Sequence, residues 1–166
     1  KRGESDSRGP LKRKKVFYGK KFLGKSGKPD GEIMIVSNVI VESGEEVLLM
    51  KRKDNDLWEC PGGRVRFGEP LIIAASRELY EESGIRAEPG KLWFSCFVES
   101  IDTRKSMHYV FVYFHLALKD KPYRINLSAH TEYQWFGKDD LPEDRMGANK
   151  RALSLAFAKK EELKKK

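Results

Sequence analysis

Gly62-Gly63-Arg64-Val65-Arg66-Phe67-Gly68-Glu69-Pro70-Leu71-Ile72-Ile73-Ala74-Ala75-Ser76-Arg77-Glu78-Leu79-Tyr80-Glu81-Glu82-Ser83-Gly84-Ile85 is the stretch on which the fold turns. Pro70 suits the first turn of a helix, Leu71–Ser83 supplies good helix formers and an apolar face, and Gly84 is a natural C-terminal stop. The spacing therefore predicts a helix over Leu71–Ser83. At about 100° per residue, Glu78, Glu81 and Glu82 fall within an arc of about 100° and share one face. Like charges so placed disfavour an isolated helix by about 0.2–0.5 kcal/mol per pair, and the C-terminal half of a helix is already unfavourable to anions. A cation reverses both penalties. Three carboxylates, with water and a phosphate, describe a hard octahedral Mg²⁺ or Mn²⁺ site rather than a soft zinc cage. The plainer alternative is a solvated acidic face with Arg77 bridging to Glu81.

Outward from the helix, Trp58-Glu59-Cys60-Pro61 leads into the paired glycines, which break regular structure and let something approach the backbone closely. Ile33–Val41 and Val47–Arg52, joined by a turn at Ser43–Gly44, read as a hairpin or meander. Strands are expected over about Lys91–Ile101 and Met107–Leu118, the second apolar enough to lie centrally, with a short strand at Glu132–Phe136. A final helix from about Asn149 to Leu163, with Asn149 as N-cap, completes an α/β class of fold, a mixed sheet with helices packed on it.

The net charge of +8 suggests nucleic acid, but its location matters. Residues 1–30 carry 11 Lys/Arg against 3 Asp/Glu, whereas residues 31–166 carry 22 of each. The division expected is thus a basic arm, 1–30, and a domain, 31–166, that is not itself a basic nucleic-acid-binding domain. Lys1-Arg2 and Lys12-Arg13-Lys14-Lys15 have the spacing of a two-part nuclear import signal and equally suit RNA phosphate contacts, beside the plain reading of a solvated tail. Val16–Tyr18 suggests pairing with a sheet edge. Glu4, Asp6 and the lack of an apolar core argue against a transit peptide or secretory signal. Apolar runs are too short for a membrane span, and two cysteines are too few for a disulfide scaffold, so a cytoplasmic location is expected.

Gly63, Glu69, Arg77, Glu78, Leu79, Glu81, Glu82, Gly84 and Ile85 fit the pattern Gly-x5-Glu-x7-Arg-Glu-U-x-Glu-Glu-x-Gly-U, where U is a bulky aliphatic. On these residues the chain resembles the Nudix hydrolase family over about residues 31–158. Trp58–Gly63 resembles the MutT-like lead-in, and His130-x-x-Tyr133-x-Trp135 is similar to a stretch of the GDP-mannose mannosyl hydrolase branch. The resemblance implies an α/β/α sandwich with a mixed β-sheet. It implies Mg²⁺ or Mn²⁺ held by Glu78, Glu81 and Glu82, with the Gly62 carbonyl as an additional ligand. Arg77 and Glu69 would form an orienting ion pair, and Gly63 and Gly84 would give structural support.

The implied reaction is hydrolysis of a pyrophosphate bond in a nucleoside diphosphate derivative, most simply a nucleoside triphosphate. Glu81, Glu132 and His130 are the candidate bases, with a carboxylate preferred. Arg52 and Arg64 are candidates for meeting phosphate and Trp58 for stacking a base, although strand aromatics are usually core. His108 and His115 read as structural, and Cys60 and Cys96 as buried thiols. The rival readings are a non-catalytic nucleotide- or RNA-binding module and a nucleotide-sugar or capped-RNA hydrolase. The resemblance leaves open whether two copies pair as a homodimer.

Overall fold

The computed structural model describes residues 31–164. The basic arm, including the sheet-edge pairing expected of Val16–Tyr18, lies outside them. Seven strands, β1 (Glu32–Ser43), β2 (Glu46–Arg52), β3 (Trp58–Glu59), β4 (Gly62–Arg64), β5 (Trp93–Asp102), β6 (Met107–Leu118) and β7 (His130–Gly137), form one mixed sheet flanked by α1 (Leu71–Ser83) and α2 (Gly147–Lys164).

β1 is the hub. It runs parallel to β6 from Glu32 opposite Met107 to Ser43 opposite Leu118, and β6 pairs in turn with β5. Its other edge holds β2 only at the turn, where Glu42 faces Val47, and takes up β4 through Val36–Asn38. β2 diverges to pair antiparallel with β3 and β7. The order is β3-β2-β1-β6-β5, so β6 is interior, as its composition suggested.

Strand alternation sends successive residues to opposite faces and makes two cores. Val39, Val41, Leu48, Met50, Val112 and Phe114 pack against Ala75 and Leu79 of α1. Ile40, Val47, Leu49, Trp58, Tyr113 and Phe136 pack against Ala152 and Leu153 of α2. The result is the expected three-layer sandwich. Among the described residues no helix is long and apolar enough to cross a membrane.

Three local expectations differ. Pro89–Lys91 forms a short 3-10 turn, so β5 starts at Trp93. Asn149 is not an N-cap: α2 begins at Gly147, and the Asn149 side-chain oxygen accepts the Cys60 N–H at 3.0 Å. The Trp58–Arg64 stretch, expected to be irregular, contributes two short strands because its glycines fit closely against β1.

Candidate active site

Gly84, in the left-handed conformation with φ 75°, closes α1 by donating its N–H to the Tyr80 carbonyl at 2.9 Å. Burial of Ala75 and Leu79 orients the helix, turning Glu78, Glu81 and Glu82 toward β4 and the loop before α1. That loop is fixed by its own backbone: Val65 N–H donates to Ile35 at 3.0 Å, Arg66 N–H to Glu69 Oε2 at 3.0 Å, and Glu69 N–H to the Arg66 carbonyl at 3.0 Å.

Arg77 stands at the centre. Its Nε and Nη2 grip Glu69 at 2.7 and 2.8 Å, Nη1 reaches Glu78 at 2.6 Å and Glu81 at 3.1 Å, and Nη2 also meets the Arg64 carbonyl at 3.2 Å. The Arg77 guanidinium and the Arg66 N–H hold the Glu69 carboxyl well below the usual range, at about 2. Glu69 and Arg77 thus form the expected ion pair. The Arg77–Glu81 bridge of the plainer reading is present too, as one arm of this larger cluster.

Glu82 has a different environment. Its Oε2 accepts the Gly62 N–H at 2.9 Å, and burial pushes its carboxyl up to about 7. The Gly62 N–H and His130 oppose the rise, while Glu59 and Glu78 add to it. Gly63 leaves room for Glu78: a Cβ there would lie 2.5 Å from the Glu78 carboxylate and displace it. Among the described residues, no three acidic, His or Cys side chains converge on one point that could hold an ion. Glu78 and Glu81 are instead turned onto Arg77. Their hard oxygen donors, with a buried Glu82 that is costly to charge in isolation, fit a divalent cation chemically once those two side chains rotate toward Glu82.

The remaining expected site residues lie elsewhere. Arg52 is committed to carboxylates: Nε and Nη2 bind Asp54 at 2.7 and 2.6 Å, and Nη1 binds Glu59 at 3.0 Å. Trp58 is buried in the α2-side core, edge-on to Phe136 with centroids 5.1 Å apart. Arg64 is exposed beside Glu78. Glu132 faces Lys51 across the strands and so shares the Trp58 side, opposite α1. His130 lies on the other side of the sheet, 1% exposed, with Nε2 3.2 Å from Glu59 and Nδ1 without a partner.

Glu59, which the sequence reading passed over, joins Arg52 to His130. Its signal was weak: one acid between a buried Trp and a buried Cys. A cleft of about 220 Å³ lined by Glu42, His115, Lys160 and Trp93 sits on the α2 face and contains none of the motif residues.

Residues 33–157 match the model of the NUDIX domain, and the chain belongs to the Nudix hydrolase family, of the MutT-like kind. It is 47% identical over 49 residues to a putative 8-oxo-dGTP diphosphatase of Bacillus subtilis, covering 30% of this chain and 33% of that protein. It is 36% identical over 87 residues to an RNA pyrophosphohydrolase of Ruthia magnifica, covering 52% and 45%. The chain thus spans less than half the length of these two relatives. Among solved structures, a MutT NUDIX hydrolase from Burkholderia pseudomallei superposes with a TM-score of 0.67 at 28% identity, covering 75% of this chain and 98% of that one.

Proposed function

We propose that residues 31–166 form the catalytic unit of a divalent-metal-dependent pyrophosphohydrolase acting on a nucleoside triphosphate or a related nucleoside diphosphate derivative. The observation that carries this reading is the Arg77-centred cluster, in which Glu69 anchors a guanidinium beside Glu78 and Glu81 while Glu82 hangs on the Gly62 N–H. The similarity to a putative 8-oxo-dGTP diphosphatase and an RNA pyrophosphohydrolase supports the substrate class.

Glu78, Glu81 and Glu82 would hold Mg²⁺ or Mn²⁺, with the Gly62 carbonyl as a further oxygen donor. Such an ion neutralises pyrophosphate charge and makes water a stronger nucleophile. Glu81 is the preferred proton acceptor because its side chain is 46% exposed, whereas Glu132 faces away and His130 is sealed in the protein. Arg64 is the surviving candidate for a phosphate contact, since Arg52 is already held by two carboxylates. The basic arm adds a candidate RNA contact, and the protein would act in the cytoplasm.

The test is a hydrolysis screen over nucleoside triphosphates, nucleotide sugars, ADP-ribose, dinucleoside polyphosphates and capped RNA, with Mg²⁺, Mn²⁺ or chelator. Metal-dependent cleavage that Glu81→Gln lowers by orders of magnitude, with unchanged thermal unfolding, is expected. Tight nucleotide binding without cleavage of any compound would replace the enzyme by a binding module.

A further inference from the structure

The loop between β4 and α1 carries one feature that pyrophosphate hydrolysis alone does not use. Phe67 stands fully exposed at its tip, between Arg66, whose side chain is 64% exposed, and Gly68. Single exposed aromatics are common on protein surfaces and ordinarily need no explanation. Here three observations coincide.

The loop is anchored on both sides of its tip, because Val65, Arg66 and Glu69 are all tied by backbone or side-chain hydrogen bonds and Glu69 is itself gripped by Arg77. Arg64, Val65, Arg66, Phe67 and Glu78 line an open cleft of about 470 Å³, within the roughly 300–1,000 Å³ typical of small-ligand sites. The cleft also has the right charges. Among the described residues the Arg64 guanidinium has no carboxylate partner, and the Arg66 guanidinium has one, Glu81 at 3.3 Å across an exposed surface. Two available guanidinium groups and an aromatic face, opening onto a motif carboxylate, match a phosphate-linked base in chemistry and in sign of charge.

We propose that Phe67, flanked by Arg64 and Arg66, is a stacking platform for a second nucleotide, the one attached beyond the phosphates that a cation on the motif glutamates would neutralise. This rests on the site reading above and narrows its substrate: the group on the far side of the pyrophosphate is itself a nucleotide, in a free dinucleoside polyphosphate or in the 5′–5′ linked cap of an RNA. Stacking is indifferent to base identity, since every base offers a π face, so the platform selects for the presence of a second base rather than for its kind. Because the residues on either side of Phe67 are anchored, docking there has less loop freedom to remove.

The experiment uses the full chain and three probes: ATP, diadenosine tetraphosphate, and a short RNA bearing a 5′–5′ triphosphate-linked guanosine cap. The readouts are kcat/KM for each and equilibrium binding of each in metal-free buffer. Phe67→Ala is expected to lower kcat/KM for at least one two-nucleotide probe about tenfold relative to ATP, equivalent to about 1.4 kcal/mol, mainly through KM. Phe67→Trp should restore the ratio. Loss confined to the dinucleotide identifies a free dinucleoside polyphosphate; loss confined to the RNA identifies a polynucleotide end. A ratio that stays within twofold for both probes overturns the platform while leaving the hydrolase reading intact. If the wild type cleaves none of the three, binding decides: selective weakening of two-nucleotide binding by Phe67→Ala upholds the platform and equal binding removes it, while the activity reading stands or falls on the wider hydrolysis screen.

Discussion

Gly62 and Gly63 are neighbours that should fail in opposite ways when each is changed to Ala. A Cβ on Gly62 would sit 2.6 Å from the Asn38 Cα and the Ser37 carbonyl oxygen, and backbone cannot rotate out of its way. Relief requires opening the β1–β4 pairing, which the bonds from Val39 N–H to Pro61 at 2.8 Å and from Val65 N–H to Ile35 at 3.0 Å hold shut. Overpacking of this kind costs about 3 kcal/mol, a fall in Tm of about 6–12 °C for a chain of this size. A Cβ on Gly63 would meet the Glu78 carboxylate at 2.5 Å, but that group ends a flexible side chain and can swing aside. The fold then loses chiefly the partly solvated Arg77–Glu78 contact, about 1 kcal/mol or 2–4 °C. The site loses more, because the added methyl occupies the space of the Glu78 carboxylate that a cation would need, and metal-dependent turnover should fall about 10- to 100-fold. Thermal unfolding by circular dichroism and a phosphate-release assay on both variants separate the two effects. Equal losses of Tm, or wild-type turnover in Gly63→Ala, would refute this division of labour.

Acid stability should report on Glu69. Its folded carboxyl, near 2, lies below the unfolded value near 4.5, so its stabilising contribution is present above pH 4.5 and disappears as pH falls toward 2. Glu69→Gln should flatten that part of a plot of urea midpoint against pH; an unchanged acid limb would contradict the pairing with Arg77. Glu59→Ala removes the acceptor shared by Arg52 and the sealed His130, at a cost of about 3 kcal/mol by urea unfolding, whereas Asp54→Ala, at an exposed site, should cost under about 1 kcal/mol. Comparable costs for the two would show that Glu59 is not the hub. Cys60 is buried and its thiol is pushed up by burial, so it should not react with a disulfide reagent at neutral pH until the chain is unfolded. Rapid labelling of Cys60 in the native state would mean that the α2-side core opens easily.

How much of this was legible in the sequence depended on how local each feature is. Pro70 and Gly84 bracket α1, so its boundaries could be read to the residue. The three glutamates share a face by helical period alone, and their link to Glu69 was implied by the family pattern. Whether His130 and Glu132 share a face was not legible. Two residues apart on a strand, they should point the same way. The structure interposes a bulge: Glu132 pairs with Lys51 and His130 with Arg52, so Thr131 is the extra residue and the two side chains part company. The same register shift brings His130 to Glu59. Arg52, Glu59 and His130 come from three different strands around β2, and only their pairing shows that Arg52 is occupied by carboxylates.

The position of Arg77 accounts for both the order of the cluster and the absence of a ready-made cage. Glu78 and Glu81 lie near one another on one helix face, and Glu82 beside them is so buried that its charged form is unfavourable. Without a cation, such a group of acids would repel itself outward. A guanidinium fixed at two points by Glu69 leaves its third nitrogen for Glu78 and Glu81, neutralising them where a divalent ion would otherwise do so. It cannot reach Glu82 in the same way, because that carboxylate is turned to the Gly62 N–H. A cation proposed for this site would therefore have to draw two carboxylates partly off Arg77, while the Glu69 contact would keep the arginine from following them. Glu69 would then act without touching ion or substrate, by limiting how strongly the protein's own positive charge competes for the site.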